Sequence, residues 1–460
     1  MFKTLKPMVA TFPSLGNKLT QLEFARRRAA FGDRIGNGMA VFASAPVAVN
    51  HNDVEYLYRQ DSDFYYLTGF NEPEAIAVLI PGHTQHQYIL FVRPRDLEAE
   101  TWTGPRAGVE GAVADYGADV AYPISEFSER MLPYLKQANS LYYSLGNNQS
   151  VNQQVLDLWQ RFMASYPRHG MGVMTLTDAK IALAQLRVIK STAELEQIRA
   201  AIAISAVAHE QVRQLCQPGM YEYELAAELE LQFRRRGGMG CAYPSIVAAG
   251  ANACILHYVE NNAQIQAADL VLIDAGCCYD YYNADITRTF PANGRFSPEQ
   301  KALYEVVLAA QKQAIAAVKP GNPYNAPHQA AVEVVIRGLH ELGLLTGELE
   351  ELLEEGLQET DDPKVEQAKR FKQFFMHRTG HYLGMDVHDV GNYKIEQKWS
   401  KLQPGMVITI EPGIYVSPRL QVNDRWQGIG IRIEDDLLVT DRGHEVLTAA
   451  VPKEVNQLEI

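Results

Sequence analysis

The stretch DLVLIDAGCCYDYYNADITRTF, residues 269 to 290, sets one largely apolar run on each side of a short tyrosine-rich turn and reads as a β-hairpin. With the turn centred on Tyr279 and Asp280, residue 278 pairs with 281 and 277 with 282, which puts Asp274 directly across from Asp285. Directly opposed residues share a face of the sheet and sit a few ångströms apart. Two carboxylates so placed repel unless a cation lies between them or one is protonated. On a mostly apolar hairpin this is a poor structural device and a good metal clamp.

The C-terminal third supplies a second pair. GMVITIEPGIYV (405–416) places Glu411 at the end of an apolar strand, and GIGIRIEDDLLVT (428–440) alternates so that Arg432 and Glu434 share one face and Ile431 and Ile433 the other. Alone, Glu434 reads as a buried salt-bridge partner of Arg432; beside Asp274, Asp285 and Glu411 it reads as a fourth metal carboxylate. FFMHRTGHYLGMDVHD (374–389) then contributes His377, His381 and His388, three of the twelve histidines in the chain. His377 and His381 have the i, i+4 spacing of a helical zinc site, but Thr379 and Gly380 weaken a helix and no HExxH is present. Spacing leaves open which of them is the ligand. ACILHYVEN (253–261) adds His257, which taken alone reads equally well as a strand-end histidine. Four carboxylates with one or two imidazoles make a hard, oxygen-rich set suited to two divalent ions such as Mn²⁺, Co²⁺, Fe²⁺ or Zn²⁺, and the lack of thiolates argues against a structural zinc. Four negative charges balance two dications and leave a water between them to be made nucleophilic.

The rest of the chain bounds the reading. Its 460 residues, 47% hydrophobic and 21% charged, are an ordinary globular composition with length for two or three domains. The net charge of −13 argues against nucleic acid, whose binding needs clustered Lys and Arg. The acidic run GELEELLEEGLQETDD (347–362) reads as a solvated helix face and a loop. Five cysteines without CxxC spacing read as reduced thiols. No apolar run reaches the roughly 18 residues of a membrane span, so no membrane partner is expected. MFKTLKPMVATFPSLG lacks a secretory pattern, and two early prolines with no Arg before Arg26 argue against an organellar presequence within residues 1–22, so the expected location is cytoplasmic.

Residues 1 to 170 mix strand-like runs such as MAVFAS and AIAVLIP with helical ones, and SDFYYLTGF (62–70) reads as a packed core element. No metal-ligand set, phosphate loop or nucleophile elbow is found there. A break follows near residue 180, where KSTAELEQIRAA offers Ser191 or Thr192 as an N-cap with Glu194 behind it. The expected domains are thus 1–178 and 179–460, the second running through four helices and segregated antiparallel strands, an α+β arrangement.

In this order and context, Asp274, Asp285, His381, Glu411 and Glu434 resemble the metal ligands of the pita-bread (creatinase/aminopeptidase) metallopeptidases, with aminopeptidase P as the closest branch. YRQDSDFYYLTGFNEPEAIAVLI looks like the amino-terminal domain of the same family, so the resemblance spans about residues 24 to 450. It implies a pita-bread catalytic domain after a smaller α/β domain, and hydrolysis releasing the first residue of peptides with proline in second position. It further implies two metal ions, usually manganese, with Asp285 and Glu434 bridging; Glu411 handling the proton of the attacking water; and His388 and His257 stabilising the oxyanion and orienting substrate. His377 and Arg432 would line the pocket, with Tyr243 and Tyr415 near the metals. Relatives often form dimers or tetramers, in which TWTGPR around Trp102 could reach a neighbouring site. One departure is Arg378, where relatives have Gly: a guanidinium there can bind the carboxylate end of a substrate, clash with it, or point outward into a salt bridge, and the outward reading is favoured. The rivals are a prolidase, restricted to dipeptides, a methionine aminopeptidase, which needs no such first domain, and a non-catalytic scaffold, which typically lacks the ligands present here.

Overall fold

The computed structural model describes residues 19–146 and 148–459 and divides the chain into two compact units, Leu19–Arg187 and Val188–Ile460. The stretch weighed as a presequence lies mostly outside the described residues. The break expected near residue 180 falls at Arg187, because the helix Ala179–Arg187 packs against Gln21–Ile35 and Arg187 pairs with Asp63 at 2.6 Å inside the first unit.

The first unit is built on a mixed six-stranded sheet. Met39–Ala43 and Ile76–Leu79, both anticipated as strands, pair antiparallel, while Met39–Ala43 runs parallel to Ser140–Tyr142. The aromatic segment forms the helix Ser62–Thr68, every residue of it buried.

In the second unit the anticipated helices form as Thr192–Leu215, Glu222–Arg235, Pro298–Ala317 and Ala326–Glu341. Ser191 is the N-cap of the first, and its reciprocal bonds with Glu194 satisfy two otherwise orphaned backbone groups. The acidic run provides the helix Leu349–Leu357.

The hairpin turn forms one residue later than expected, which shifts the cross-strand pairing by two residues. Tyr279 pairs with Tyr282, and Asp280 and Tyr281 make the two-residue turn, both at positive φ (45° and 72°). Positive φ at both central residues is the mirror-image type I geometry that matches strand twist, usually signalled by Asn-Gly or Asp-Gly; with Tyr in the second place that signal is missing. Asp274 therefore faces Thr287 rather than Asp285, which sits two residues along the same strand face. Gly276 permits the approach there, since a Cβ on it would lie 1.7 Å from the carbonyl oxygen of Ala284.

One helix anchors this hairpin. Within Thr192–Leu215, His209 Nε2 donates to the Ala275 carbonyl at 2.8 Å, Ser205 Oγ accepts from the Cys277 amide at 2.9 Å, and Glu194 accepts from the Tyr282 hydroxyl at 3.0 Å. Leu270–Asp274 and Thr287–Pro291 pair antiparallel and are buried throughout. Val407–Ile410 pairs with Asp435–Val439, and Gly413–Val416 with Ile429–Arg432. Beneath Glu434, the buried Asp435 takes Arg288 at 2.7 Å and Lys453 at 2.5 Å, with Thr448 and Gln311 completing its bonds, so these strands are tied by a satisfied polar network.

Candidate metal centre

Asp274 closes one strand and Asp285 lies two residues before the strand paired with it, and the Tyr243 hydroxyl lies against both, 2.6 Å from Asp274 Oδ1 and in a short contact with Asp285 Oδ1. A single phenolic proton serves only one of them. The link between Ile429–Arg432 and Asp435–Val439 brings Glu434, whose Oε2 accepts from Thr287 Oγ1 at 2.6 Å. Arg432 does not pair with Glu434: Nη2 lies 2.6 Å from Asp274 Oδ2, Nε donates to Thr287 Oγ1 and Nη1 to the Tyr415 hydroxyl. Thr287 thus stands between the two side chains that alternation had placed together.

His381 joins from coil rather than from a helix. The Glu411 amide donates to the Thr379 carbonyl at 2.8 Å, the Thr409 amide to the His381 carbonyl at 2.9 Å, and the His381 amide to Thr409 Oγ1 at 3.0 Å. Gly380 is needed for this fit, because a Cβ on it would stand 2.0 Å from the Thr409 carbonyl oxygen. The Nδ1–H of His381 donates to the Tyr382 carbonyl, which turns Nε2 toward Asp285 Oδ2 and Glu411 Oε1, each 3.5 Å away. Fixing the tautomer through a backbone carbonyl is how proteins present a histidine to a metal.

Ligand atoms of Asp285, His381 and Glu434 all lie within 4.8 Å of one another. Burial pushes the Glu411 carboxyl up to about 7, and burial with the neighbouring Asp285 holds Glu434 well above the usual carboxylate range. Burial alone would depress His381; Asp285 and Glu411 more than offset it and bring the imidazole to about 9. Acids crowded this closely with one oriented imidazole fit divalent cations, whose charge replaces the protons the cluster otherwise retains.

The cluster forms one end of a cavity of about 1080 Å³. His257 and His388 are exposed on its wall, and the His381 and His388 rings meet edge to face at 4.4 Å. Burial and the neighbouring His381 hold His388 below its ordinary value. His377 also lines the cavity: its Nδ1–H donates to the Arg378 carbonyl at 2.7 Å and its Nε2 accepts from Tyr415 at 2.8 Å, and burial with Arg432 takes it down to about 3. Tyr415, expected near the metals, is fully buried and reaches the site through His377 and Arg432. Arg378, expected to point outward into a salt bridge, lines the cavity instead. Sequence reading missed Thr287 and Thr409; the latter lies two residues before Glu411 on a strand, and that alternation was a usable signal. It also missed Glu222, whose buried carboxylate accepts from the Ala249 and Ala263 amides, Asn252 and Tyr258 and so staples the segment carrying His257.

Known proteins resemble this chain along nearly its whole length. The model of metallopeptidase family M24 matches residues 196–441, and that of the aminopeptidase P N-terminal domain matches 24–142. The chain is 39% identical to the Xaa-Pro aminopeptidase of Escherichia coli, over 96% of this chain and 98% of that one, and 35% identical to human Xaa-Pro aminopeptidase 3, over 96% and 86%. It superposes on the structure of the Pseudomonas aeruginosa aminopeptidase PepP with a TM-score of 0.90 at 46% identity, covering 96% of this chain and 97% of that one. The chain belongs to metallopeptidase family M24, in its aminopeptidase P branch, and its second unit has the pita-bread fold.

Proposed function

We propose that this protein is a metal-dependent Xaa-Pro aminopeptidase, which cleaves the bond before a proline in second position and releases the amino-terminal residue. The observation that carries the reading is that Asp274, Asp285, His381, Glu411 and Glu434 line one cavity, with His381 Nε2 3.5 Å from both Asp285 and Glu411 and ligand atoms of Asp285, His381 and Glu434 within 4.8 Å of one another. Asp285, His381, Glu411 and Glu434 would hold one ion, and Asp274, Asp285 and Glu434 the other, with manganese the metal we propose for both. Such ions, when bound, lower the pKa of water and polarise the scissile carbonyl.

The chain's own groups do the rest. Glu411 accepts the proton of the attacking water and returns it to the leaving proline nitrogen. His388 and His257 donate to the carbonyl oxygen as its charge develops and orient the peptide. His377 and Arg432 set the neighbouring wall, Tyr415 supports both, and Tyr243 holds Asp274 and Asp285 in place. Proline has no N–H and a fixed φ, so this site recognises ring shape where an ordinary peptidase needs a backbone hydrogen bond.

Residues 1–178, extended by the helix Ala179–Arg187, are read as the amino-terminal domain, and the remainder as the catalytic domain. A cytoplasmic location is supported by five free thiols, and no described helix is long and apolar enough to cross a membrane. A homo-oligomer, dimer or tetramer, is supported by Trp102, 85% exposed on the helix Leu97–Thr103, no residue of which is buried. The deciding experiment strips the protein with chelator and measures release of the first residue from an Xaa-Pro-Xaa tripeptide and the matching Xaa-Pro dipeptide, with and without Mn²⁺. Manganese-dependent cleavage of the tripeptide is expected; cleavage of the dipeptide alone would make it a prolidase.

A further inference from the structure

Arg378 is the part of the histidine-rich stretch to which hydrolysis gives no task. Its backbone is fixed, since its carbonyl accepts from His377 Nδ1 at 2.7 Å and the next carbonyl, that of Thr379, accepts from the Glu411 amide at 2.8 Å. Its guanidinium lines the cavity, donates Nη1 to Asn325 Oδ1 at 2.9 Å and lies with Cζ 4.9 Å from the centre of the Trp399 ring. Among the described residues no carboxylate comes within the 4.0 Å of an ion pair with it.

The acid of this cluster is otherwise occupied. Glu359 Oε1 accepts from Asn325 Nδ2 at 2.7 Å and from Trp399 Nε1 at 2.9 Å, so it orients the two residues that hold Arg378. The other arginine on the cavity wall, Arg432, is paired with Asp274. Arg378 is therefore a wall cation without a counter-charge, with one Nη on Asn325, a face toward Trp399, and its remaining N–H groups unassigned. A planar guanidinium fork matches a carboxylate in two hydrogen bonds.

An enzyme that holds the amino terminus of its substrate at the metal cluster leaves the carboxyl end directed along the cavity. At about 3.3–3.6 Å per extended residue, a tripeptide spans roughly 10–11 Å, and each added residue carries the carboxylate one step farther from the metals. Resting on the aminopeptidase reading above, we propose that Arg378, set by Asn325 and Trp399, is a carboxylate subsite that selects short peptides, Xaa-Pro-Xaa, with a free C-terminal carboxylate. Nothing in the reaction depends on it; it sorts substrates by where their chains end.

The test compares kcat/KM for an Xaa-Pro-Xaa tripeptide and its C-terminal amide on manganese-loaded wild type, Arg378→Gln and Arg378→Lys, with melting curves to confirm folding. Wild type is expected to favour the free acid by about tenfold to a hundredfold, chiefly through KM. Arg378→Gln should bring that ratio to about one, and Arg378→Lys, which keeps the charge but loses the fork, should fall between. Equal cleavage of acid and amide by wild type would overturn the subsite. So would an Arg378→Gln variant that slows both peptides alike and keeps the ratio, because Arg378 would then only support Asn325 and Trp399. If wild type cleaves neither peptide, the aminopeptidase reading fails first and takes the subsite with it.

Discussion

The buried and the exposed parts of the cavity lining are built from different materials. At the buried end, Asp274 closes one strand, Asp285 lies two residues before the strand paired with it, and Glu434 follows the strand that carries Arg432, with their neighbours bonded to one another. The exposed His257, Arg378 and His388 come from coil segments held by a few anchors such as Glu222 and Thr379. The difference separates two demands. Metal ligands must hold their geometry against mutual repulsion, which strands and polar networks supply; groups that meet substrates of varied sequence tolerate, and use, looser support.

The largest effects should come from the buried end. Asp285→Ala or Glu434→Ala should remove metal binding by elemental analysis and lower turnover by about three orders of magnitude or more; a variant with normal metal content and activity would collapse the distinction. Next, His388→Ala should keep the metal and lose about a hundredfold to a thousandfold in kcat, as expected for a donor acting on developing charge. Glu222→Gln tests the anchors of the wall: releasing the His257 segment should raise KM about three- to tenfold with metal content unchanged.

A pH experiment probes the helix that fixes the buried end. Burial lowers His209 to about 4, below the ordinary histidine value of 6.5, so between those two values the unfolded chain takes up a proton that the folded one refuses. Its contribution is full above pH 6.5 and is lost as pH falls through 4, about 3 kcal/mol in all. Denaturation midpoints should show that loss in wild type, and less of it in His209→Gln, which can still donate to Ala275 but never charges. The smallest effect on turnover is expected from Cys277→Ala and Cys278→Ala: the two thiols sit near the hairpin turn, and full activity should survive with a stability loss of about 1–2 kcal/mol.

The same contrast governs what was legible in the sequence. The ligands were readable because strand alternation converts spacing into shared faces, and a carboxylate in an apolar run is conspicuous. The hairpin turn was placed one residue early, and the pairing two residues off, because Asp280 and Tyr281 turn the chain without glycine, so the local signal for the turn was weak. His381 was readable only by resemblance, since its segment is coil and its orientation comes from Thr409 and the Tyr382 carbonyl. Arg378 was misread because its environment depends on Asn325 and Trp399, 53 residues before it and 21 after it, and no local pattern encodes such a meeting. The boundary at Arg187 rests likewise on a distant partner, Asp63.

His377, Tyr415, Arg432 and Asp274 form one unbroken chain of hydrogen bonds from the cavity wall to a proposed metal ligand. Each member fixes the proton position or charge its neighbour must have, so none is free to vary alone. Over evolutionary time these four positions should drift as a block, and exchanging one of them between relatives should harm the protein more than exchanging all four.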